Sequence, residues 1–521
     1  MAVFYLLNRL LRFNVYPEVV ILTGFLILTF SLIGRASGRV VSAANEQLTT
    51  SIRRKNAKRC IIFGAGEAGR FLYKKLAANA DENLRAVCFI DDNASIHGKK
   101  IGAVRVFGGR DKMEEAIRKF DAQAVVVAIP TAPIDVLRHV LDICRKAKCQ
   151  MRTFGTLNDF SLQNATVRDI NLEELLRRDS VTLNMQAVRD FIEDKTVLVT
   201  GGAGSIGSEV CRQGLSFGCR RLIVFDIHEN GMFELDNELS EQYAGRYALK
   251  IGSVRDEQRL EELFSQYKPQ IVFHAAAHKH VPMMELSPCE AIKNNVFGTV
   301  NVARAAIRHG AEKFILISTD KAVNPTNIMG ASKRIAEICI QLLDPLSETD
   351  FAAVRFGNVL GSNGSVVPFF QKQIERGGPV TVTHKDMRRY FMTIPEAVQL
   401  VLEAGAMADG GEIFVLDMGE PVRIYDLALD LIRLSGYEPD EDIEIVFTGT
   451  RPGEKLFEEI SLADEDVTKT QNSKILVLKP TEADCGALAD VLSSLEKTLG
   501  EPSCGELFEV VRRLVPTFEH K

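Results

Sequence analysis

Residues 195–210, KTVLVTGGAGSIGSEV, constrain this chain more than any other stretch. A β-rich run from Val197 to Thr200 enters Gly201, Gly204 and Gly207 without an intervening loop, and a helical segment starts at Ser205 and Ile206. A strand turning straight into a helix on this spacing presents backbone N–H groups and a helix N-terminus to a pyrophosphate. A side chain at the glycines would block that approach. The next strand, RLIVFD, ends in Asp226, and IHENG follows it. A carboxylate there accepts both hydroxyls of a ribose and repels a 2′-phosphate, and no Arg or Lys comes next to hold one. NAD is therefore expected as cofactor rather than NADP.

Later segments follow in the alternating order of a parallel α/β sheet. YALKIGSVRD places Ser253 and Val254 where an adenine would lie, and Ala275, Ala276 and Ala277 follow the strand Ile271 to Phe273, small enough for the backbone to approach a dinucleotide. His278 and His280 flank Lys279 without a partner cluster at ligand spacing, so no metal is expected. The net charge of -6 argues against a nucleic-acid partner, since such binders are usually basic. The ten cysteines are scattered without a CxxC pair, which fits reduced thiols in the cytoplasm.

The 521 residues leave room for more than this one domain. CIIF, residues 60–63, runs into Gly64, Gly66 and Gly69 on a GxGxxG pattern, and AVCFIDD ends in Asp91 and Asp92. A small Rossmann-like α/β domain is expected over 56–165; its glycines serve either a bound dinucleotide or only the tight turn and close helix packing. Before it, VVILTGFLILTFSLI, residues 19–33, carries no charge. A transmembrane helix is expected, with a signal peptide and a buried soluble helix as competing readings. Arg35, Arg39, Arg53, Arg54, Lys55, Lys58 and Arg59 outnumber Arg9 and Arg12 across the span, which puts the bulk of the chain in the cytoplasm, on the inner face of the cell membrane. The expected organisation is a membrane anchor and basic segment over 1–55, the small domain, a linker over 166–190, and an NAD-dependent domain over 191–521.

ISTDKAVNPTNIMGASK, residues 317–333, supplies the chemistry. The strand KFILI delivers Ser318, Thr319, Asp320 and Lys321 at its carboxyl end, where open α/β sheets bind ligands. Met329 and Lys333 are four apart on the helix that follows and share a face. In isolation such a Met is core filler.

TGGAGSIG, HAAAHKHVPMME, STDKAVNPTNIMGASK, RFGNVLGSNGSV, RRYFMT and RPGEKLFEE together resemble the membrane-anchored nucleotide-sugar 4,6-dehydratases of bacterial capsule and glycan synthesis, within the extended short-chain dehydrogenase superfamily. That resemblance implies a Rossmann domain with a smaller substrate-binding subdomain, UDP-N-acetylglucosamine as substrate, NAD as cofactor and a homo-oligomer. Where the wider superfamily has a catalytic Tyr four residues before the Lys, this chain has Met329, as in a subgroup associated with retained configuration at carbon 5. The family reaction oxidises carbon 4 of the sugar, eliminates water across carbons 5 and 6, and returns hydride to carbon 6. The resemblance makes Lys321 the base and Asp320 the acid. Thr319 bonds the carbon 4 hydroxyl and Lys333 holds the nicotinamide ribose. The hydroxyl proton has two routes, through Thr319 to water or directly to Asp320. His278, Lys279, Asn358, Ser365, Val366 and Glu454 are implied at the UDP-sugar; Arg389 and Arg451 either contact a phosphate or ribose through the guanidinium fork or form fold-stabilising ion pairs. Two departures stand out: the chain begins at what resembles the last of several membrane helices, and Ser253 replaces a usual adenine-contacting Asp. Competing readings are a nucleotide-sugar 4-epimerase and a catalytically silent NAD-binding assembly subunit.

Overall fold

The computed structural model describes residues 57–78, 84–129, 132–155, 166–169, 184–459, 467–478, 487–499 and 505–520, with Leu22, Phe25, Leu26, Thr29 and Phe30. The predicted span 19–33 lies largely outside these residues, and among the described residues no helix is long and apolar enough to cross a membrane. The chain divides into two compact units, Met1–Asn171 and Leu172–Lys521.

The first unit is built on a seven-stranded sheet. Lys58–Phe63 lies between Leu84–Ile90 and Ala124–Val127, parallel to both. Cys60, Ile61, Ile62 and Phe63 are all fully buried, as a continuous apolar run with helices on both faces requires. Gly64 has φ +104°, and a Cβ on Gly69 would stand 1.9 Å from Gly64 O, so both glycines are needed for the turn itself. The strand Thr166–Asp169 pairs antiparallel with Gln150–Gly155. The first sheet therefore takes in residues that the sequence reading assigned to the linker. At the linker's other end, helix Met185–Ile192 is capped by the Asn184 side chain, which accepts from Ala187 N.

The second unit carries a nine-stranded sheet. In spatial order its parallel strands are Tyr247–Ile251, Arg221–Asp226, Thr196–Thr200, Ile271–His274, Lys313–Ile317, Asp350–Arg355 and Ile413–Leu416. Ile475–Leu478 and Val467–Lys469 extend that edge antiparallel. Side chains alternate between two cores: Leu198 and Ile223 face one, Val197, Val199 and Val224 the other. The order reverses beside Thr196–Thr200, and that switch point opens a crevice at the carboxyl ends of the strands. A separate cluster, including Phe370, Val380, Leu427, Leu431 and Ile445, forms the core of the expected smaller subdomain.

Candidate active site

Strand Lys313–Ile317 brings Thr319, Asp320 and Lys321 to this crevice, where a short 3-10 turn spans Asp320–Ala322. Asp320 is fully buried. Its Oδ1 accepts from both Thr319 Oγ1 and Lys321 Nζ, each at 2.9 Å. Its Oδ2 is also buried but accepts no hydrogen bond among the described residues, and it lies 3.1 Å from where a Cβ on Gly357 would sit. Lys321 Nζ also reaches Asn358 Oδ1 at 3.5 Å. The predicted trio is thus one contiguous cluster of hydroxyl, carboxylate and amine.

Helix Ile328–Leu343 is seated against that cluster by two local features. The Asn327 side chain caps it by accepting from Gly330 N at 2.8 Å. A Cβ on Gly330 would stand 2.2 Å from Lys321 O, so the helix approaches this closely only with glycine there. Met329, Lys333 and Glu337 are spaced four apart on one face. Met329 is 3% exposed within an apolar cluster. Lys333 is 4% exposed, and its amine has no hydrogen-bond or ion-pair partner among the described residues. Burial brings its pKa down to about 8, against a smaller pull upward from Glu337. His274 is fully buried; burial, with the charge of Lys333, lowers its pKa to about 3 and keeps the ring neutral. Its nitrogens lie 2.7 Å from Thr200 Oγ1 and 3.0 Å from Thr299 Oγ1.

Glu337 fixes the helix to two strand ends. Its Oε1 accepts from Ser318 Oγ at 2.6 Å and Arg355 Nε at 2.9 Å, and its Oε2 from Arg355 Nη2 at 2.8 Å and Arg334 Nη1 at 3.0 Å. Burial alone would raise this carboxyl's pKa, but the two guanidinium groups and the Ser318 hydroxyl outweigh burial and hold it at about 2.

The glycine-rich turn fits a dinucleotide. Gly201 has φ +69°, and its added Cβ would stand 2.5 Å from Ala276 N; a Cβ on Gly207 would stand 2.1 Å from Gly201 O. Asp226 accepts from Ala203 N and His228 N, both at 2.9 Å, and a carboxylate so held keeps lone pairs for a ribose. Val254 is 5% exposed against Gly298, and Ser253 Oγ accepts from Arg255 N at 3.2 Å. Together with the unpartnered Lys333 amine, these features match the sequence expectation for the cofactor.

Asn363 N donates to Ser205 Oγ at 3.1 Å and joins the dinucleotide turn to the 361–365 loop. Ser365 Oγ, ahead of helix Val366–Glu375, is buried with no hydrogen-bond partner among the described residues. A Cβ on Gly364 would stand 2.7 Å from His280 Cε1. His278 and Lys279 are exposed, with the His278 backbone held by Asn295. Arg451 is exposed, and its N donates to Glu454 Oε2 at 3.2 Å. Arg389 is 8% exposed and donates to Arg388 O at 2.7 Å, Lys455 O at 2.7 Å, Leu456 O at 3.2 Å and Glu454 Oε1 at 3.5 Å. These bonds use the donors that the sequence reading gave to a phosphate or ribose.

Sequence reasoning missed Glu337, Arg355 and Glu458. The first two had one available signal, an acid and a base each embedded in a run otherwise apolar enough for the core, IAEICI and AAVRF. Glu458 sat within a quoted motif with no role attached.

Residues 197–480 match the family described as polysaccharide biosynthesis protein, and residues 19–154 match a CoA-binding domain. The chain belongs to the polysaccharide biosynthesis protein family. It is 45% identical over 444 residues to the probable polysaccharide biosynthesis protein EpsC of Bacillus subtilis, covering 84% of this chain and 74% of that one. It is 47% identical over 410 residues to the capsular polysaccharide biosynthesis protein CapD of Staphylococcus aureus, covering 77% and 68%. The X-ray structure of Pen from Bacillus thuringiensis is similar at 36% identity and a TM-score of 0.53, over 56% of this chain and 92% of its own. In this family member the second unit has the extended short-chain dehydrogenase fold.

The Glu337 contact generates a stability prediction. Glu337→Ala removes a buried carboxylate that both Arg355, 1% exposed, and Arg334 bond, and should cost about 3–5 kcal/mol at neutral pH in urea unfolding. Because the folded pKa is depressed, the native carboxylate's contribution is present above the unfolded value of about 4.3 and is lost as pH falls toward 2. The gap between variant and parent should therefore narrow between about pH 5 and about pH 2. A gap independent of pH would contradict the ion-pair account.

Proposed function

We propose that this polysaccharide biosynthesis protein is an NAD-dependent 4,6-dehydratase of UDP-N-acetylglucosamine, whose product is a UDP-4-keto-6-deoxy-N-acetylhexosamine for capsule or glycan synthesis. The observation that carries this reading is the convergence of Thr319 Oγ1 and Lys321 Nζ on one buried oxygen, Asp320 Oδ1. An epimerase needs a hydride and a proton moved at carbon 4. Elimination needs in addition a base at carbon 5 and an acid at carbon 6, and Lys321 and Asp320 are suited to those tasks.

Gly201, Gly204, Ser205, Ile206 and Gly207 would hold the pyrophosphate of NAD, Asp226 a ribose, and Lys333 the nicotinamide ribose. When bound, NAD supplies the hydride acceptor at carbon 4 and the donor at carbon 6. The protein's part is proton handling. The Thr319 hydroxyl points at Asp320, which favours delivery of the carbon 4 hydroxyl proton through Thr319 to Asp320 Oδ1. Asp320, now neutral, is the acid that the departing carbon 6 hydroxyl requires. Burial lowers the pKa of Lys321, but the Asp320 and Glu458 carboxylates outweigh it and the net direction is up, so the resting amine is an ammonium. Neutralising Asp320 removes the nearest charge that holds that proton. Lys321, whose side chain is 18% exposed, can then lose that proton to solvent and accept the carbon 5 proton, which the neighbouring ketone has acidified. Met329 fills the phenol's position with an apolar side chain, consistent with a route that needs no Tyr.

Ser365, Val366, Asn358 and Arg451 are the side assigned to UDP; the buried, unpartnered Ser365 hydroxyl supports this. The same reading includes a membrane tether at 19–33. Leu22, Phe25, Leu26 and Phe30 are helical and exposed, an apolar set suited to lipid, and the basic residues after the span favour a cytoplasmic catalytic unit.

Incubation of the full chain with UDP-N-acetylglucosamine and NAD in deuterated water should give a product lighter by one water and labelled at carbon 5. Lys321→Ala should abolish water loss and leave NAD binding intact. A product of unchanged mass, altered only at carbon 4 and free of deuterium, would establish an epimerase. For the cofactor, titration should show NAD binding more than about tenfold tighter than NADP, roughly 1.4 kcal/mol, with the difference narrowed in Asp226→Ala. Equal affinities would remove Asp226 from the ribose.

A further inference from the structure

Segment 450–459 is pinned across the strand tip. Gly453 O accepts from Thr326 Oγ1 at 2.8 Å and Asn327 Nδ2 at 3.0 Å, and Lys455 Nζ donates to Val323 O at 2.9 Å. The Arg388 backbone N–H donates to Leu456 O at 3.1 Å. These bonds put Glu458 inside the acid-base cluster rather than beside it. Its side chain is 4% exposed, and its Oε1 lies 3.7 Å from Lys321 Nζ and 3.7 Å from Arg389 Nε. Its Oε2 is buried and accepts no hydrogen bond among the described residues. A desolvated carboxylate with an unsatisfied oxygen is costly, and nothing about the strap's own bonds requires an acid at this position.

We propose that Glu458 is a positioning residue for Lys321: the second carboxylate of a two-carboxylate cradle, which is the counter-ion of the ammonium that forms when Lys321 takes the carbon 5 proton while Asp320 is neutral. This inference rests on the reading of Asp320 and Lys321 as the acid and base of an elimination.

The distances set the order of preference. Lys321 Nζ is 2.9 Å from Asp320 Oδ1 and 3.7 Å from Glu458 Oε1, so the ammonium is hydrogen-bonded to Asp320 and only electrostatically paired with Glu458. With Asp320 and Glu458 ionised, they balance Lys321 and Arg389. Once Asp320 takes a proton, its attraction for the ammonium is largely lost, and Glu458 is the remaining anion within ion-pair distance of Nζ among the described residues. Without it, an ammonium at Lys321 would face Arg389 with no counter-charge among the described residues. When Lys321 takes the carbon 5 proton while Asp320 is still neutral, Glu458 is the counter-ion that stabilises the new ammonium and strengthens Lys321 as a base. Glu454 neutralises Arg389 from the other side at 3.5 Å, which leaves Glu458 available to Lys321. Asn358 Oδ1 supplies a neutral acceptor, and Tyr390 lies near Asp320.

The test compares Glu458→Gln and Glu458→Asp with the parent chain. Glu458→Gln should slow water loss roughly tenfold or more with KM for UDP-N-acetylglucosamine and NAD affinity nearly unchanged, and Glu458→Asp should recover part of the rate. Trace acetylation with acetic anhydride across pH, read at Lys321 by mass spectrometry, should show its amine deprotonating at lower pH in Glu458→Gln and nearer the parent value in Glu458→Asp. An unmoved Lys321 titration, or a rate loss matched by equal losses of NAD affinity and thermal stability, would overturn the proposal and leave Glu458 as a packing residue. If the parent chain does not release water, the dehydratase reading fails, while the Lys321 titration still decides whether Glu458 governs that amine.

Discussion

A single buried carboxylate, Glu337, holds the candidate catalytic face together. It receives Ser318 from the end of one strand and Arg355 from the end of the next, while itself standing on the helix that carries Met329 and Lys333. The result is a fixed distance between a strand tip and a helix face, with Gly330 allowing the closest approach at Lys321 O. A buried ion pair gives little net stability over a well-packed apolar pair, because desolvating both partners cancels most of the attraction. Its value here is geometric: an apolar contact at Glu337 could slide, whereas a carboxylate bonded to three partners cannot do so without leaving a charge exposed to the core.

Above that contact the site is a small set of charges shielded from water. The carboxylate charges beside Lys321 favour its ammonium form, the wrong protonation state for the base we propose. Thr319 donates to the same Asp320 oxygen that accepts from Lys321, so in the proposed mechanism arrival of a proton at Asp320 and loosening of Lys321 are coupled. Burial makes each such change consequential, since the low dielectric that weakens Lys333 as a cation also magnifies the loss of any counter-charge.

What was legible in the sequence follows the range of the interactions. The turn at Gly201 to Gly207, Asp226 at a strand end and the Thr319–Lys321 trio are set by residues adjacent along the chain, and their places in the fold agree with the strand and helix patterns that announced them. Met329 and Lys333 share a face because helical spacing alone requires it. Glu337 with Arg355, and Glu458 with Lys321, depend on contacts between segments 18 and 137 residues apart, which no local pattern encodes. Arg389 shows the same limit: its guanidinium was visible as a fork, but the carbonyls of Lys455 and Leu456 that occupy it come from a distant strap. The end of the first unit was misplaced for a related reason, since Thr166–Asp169 becomes a strand through pairing with Gln150–Gly155 rather than through its own composition.

In the mechanism we propose, the trio Thr319, Asp320 and Lys321 turns oxidation at carbon 4 into loss of the carbon 6 hydroxyl. The most direct test is one turnover of UDP-N-acetylglucosamine carrying deuterium at carbon 4, with the label located by nuclear magnetic resonance. The account predicts a 4-keto product with the deuterium in the carbon 6 methyl group. Deuterium found back at carbon 4, in a hexosamine that still bears its carbon 6 hydroxyl, would contradict it.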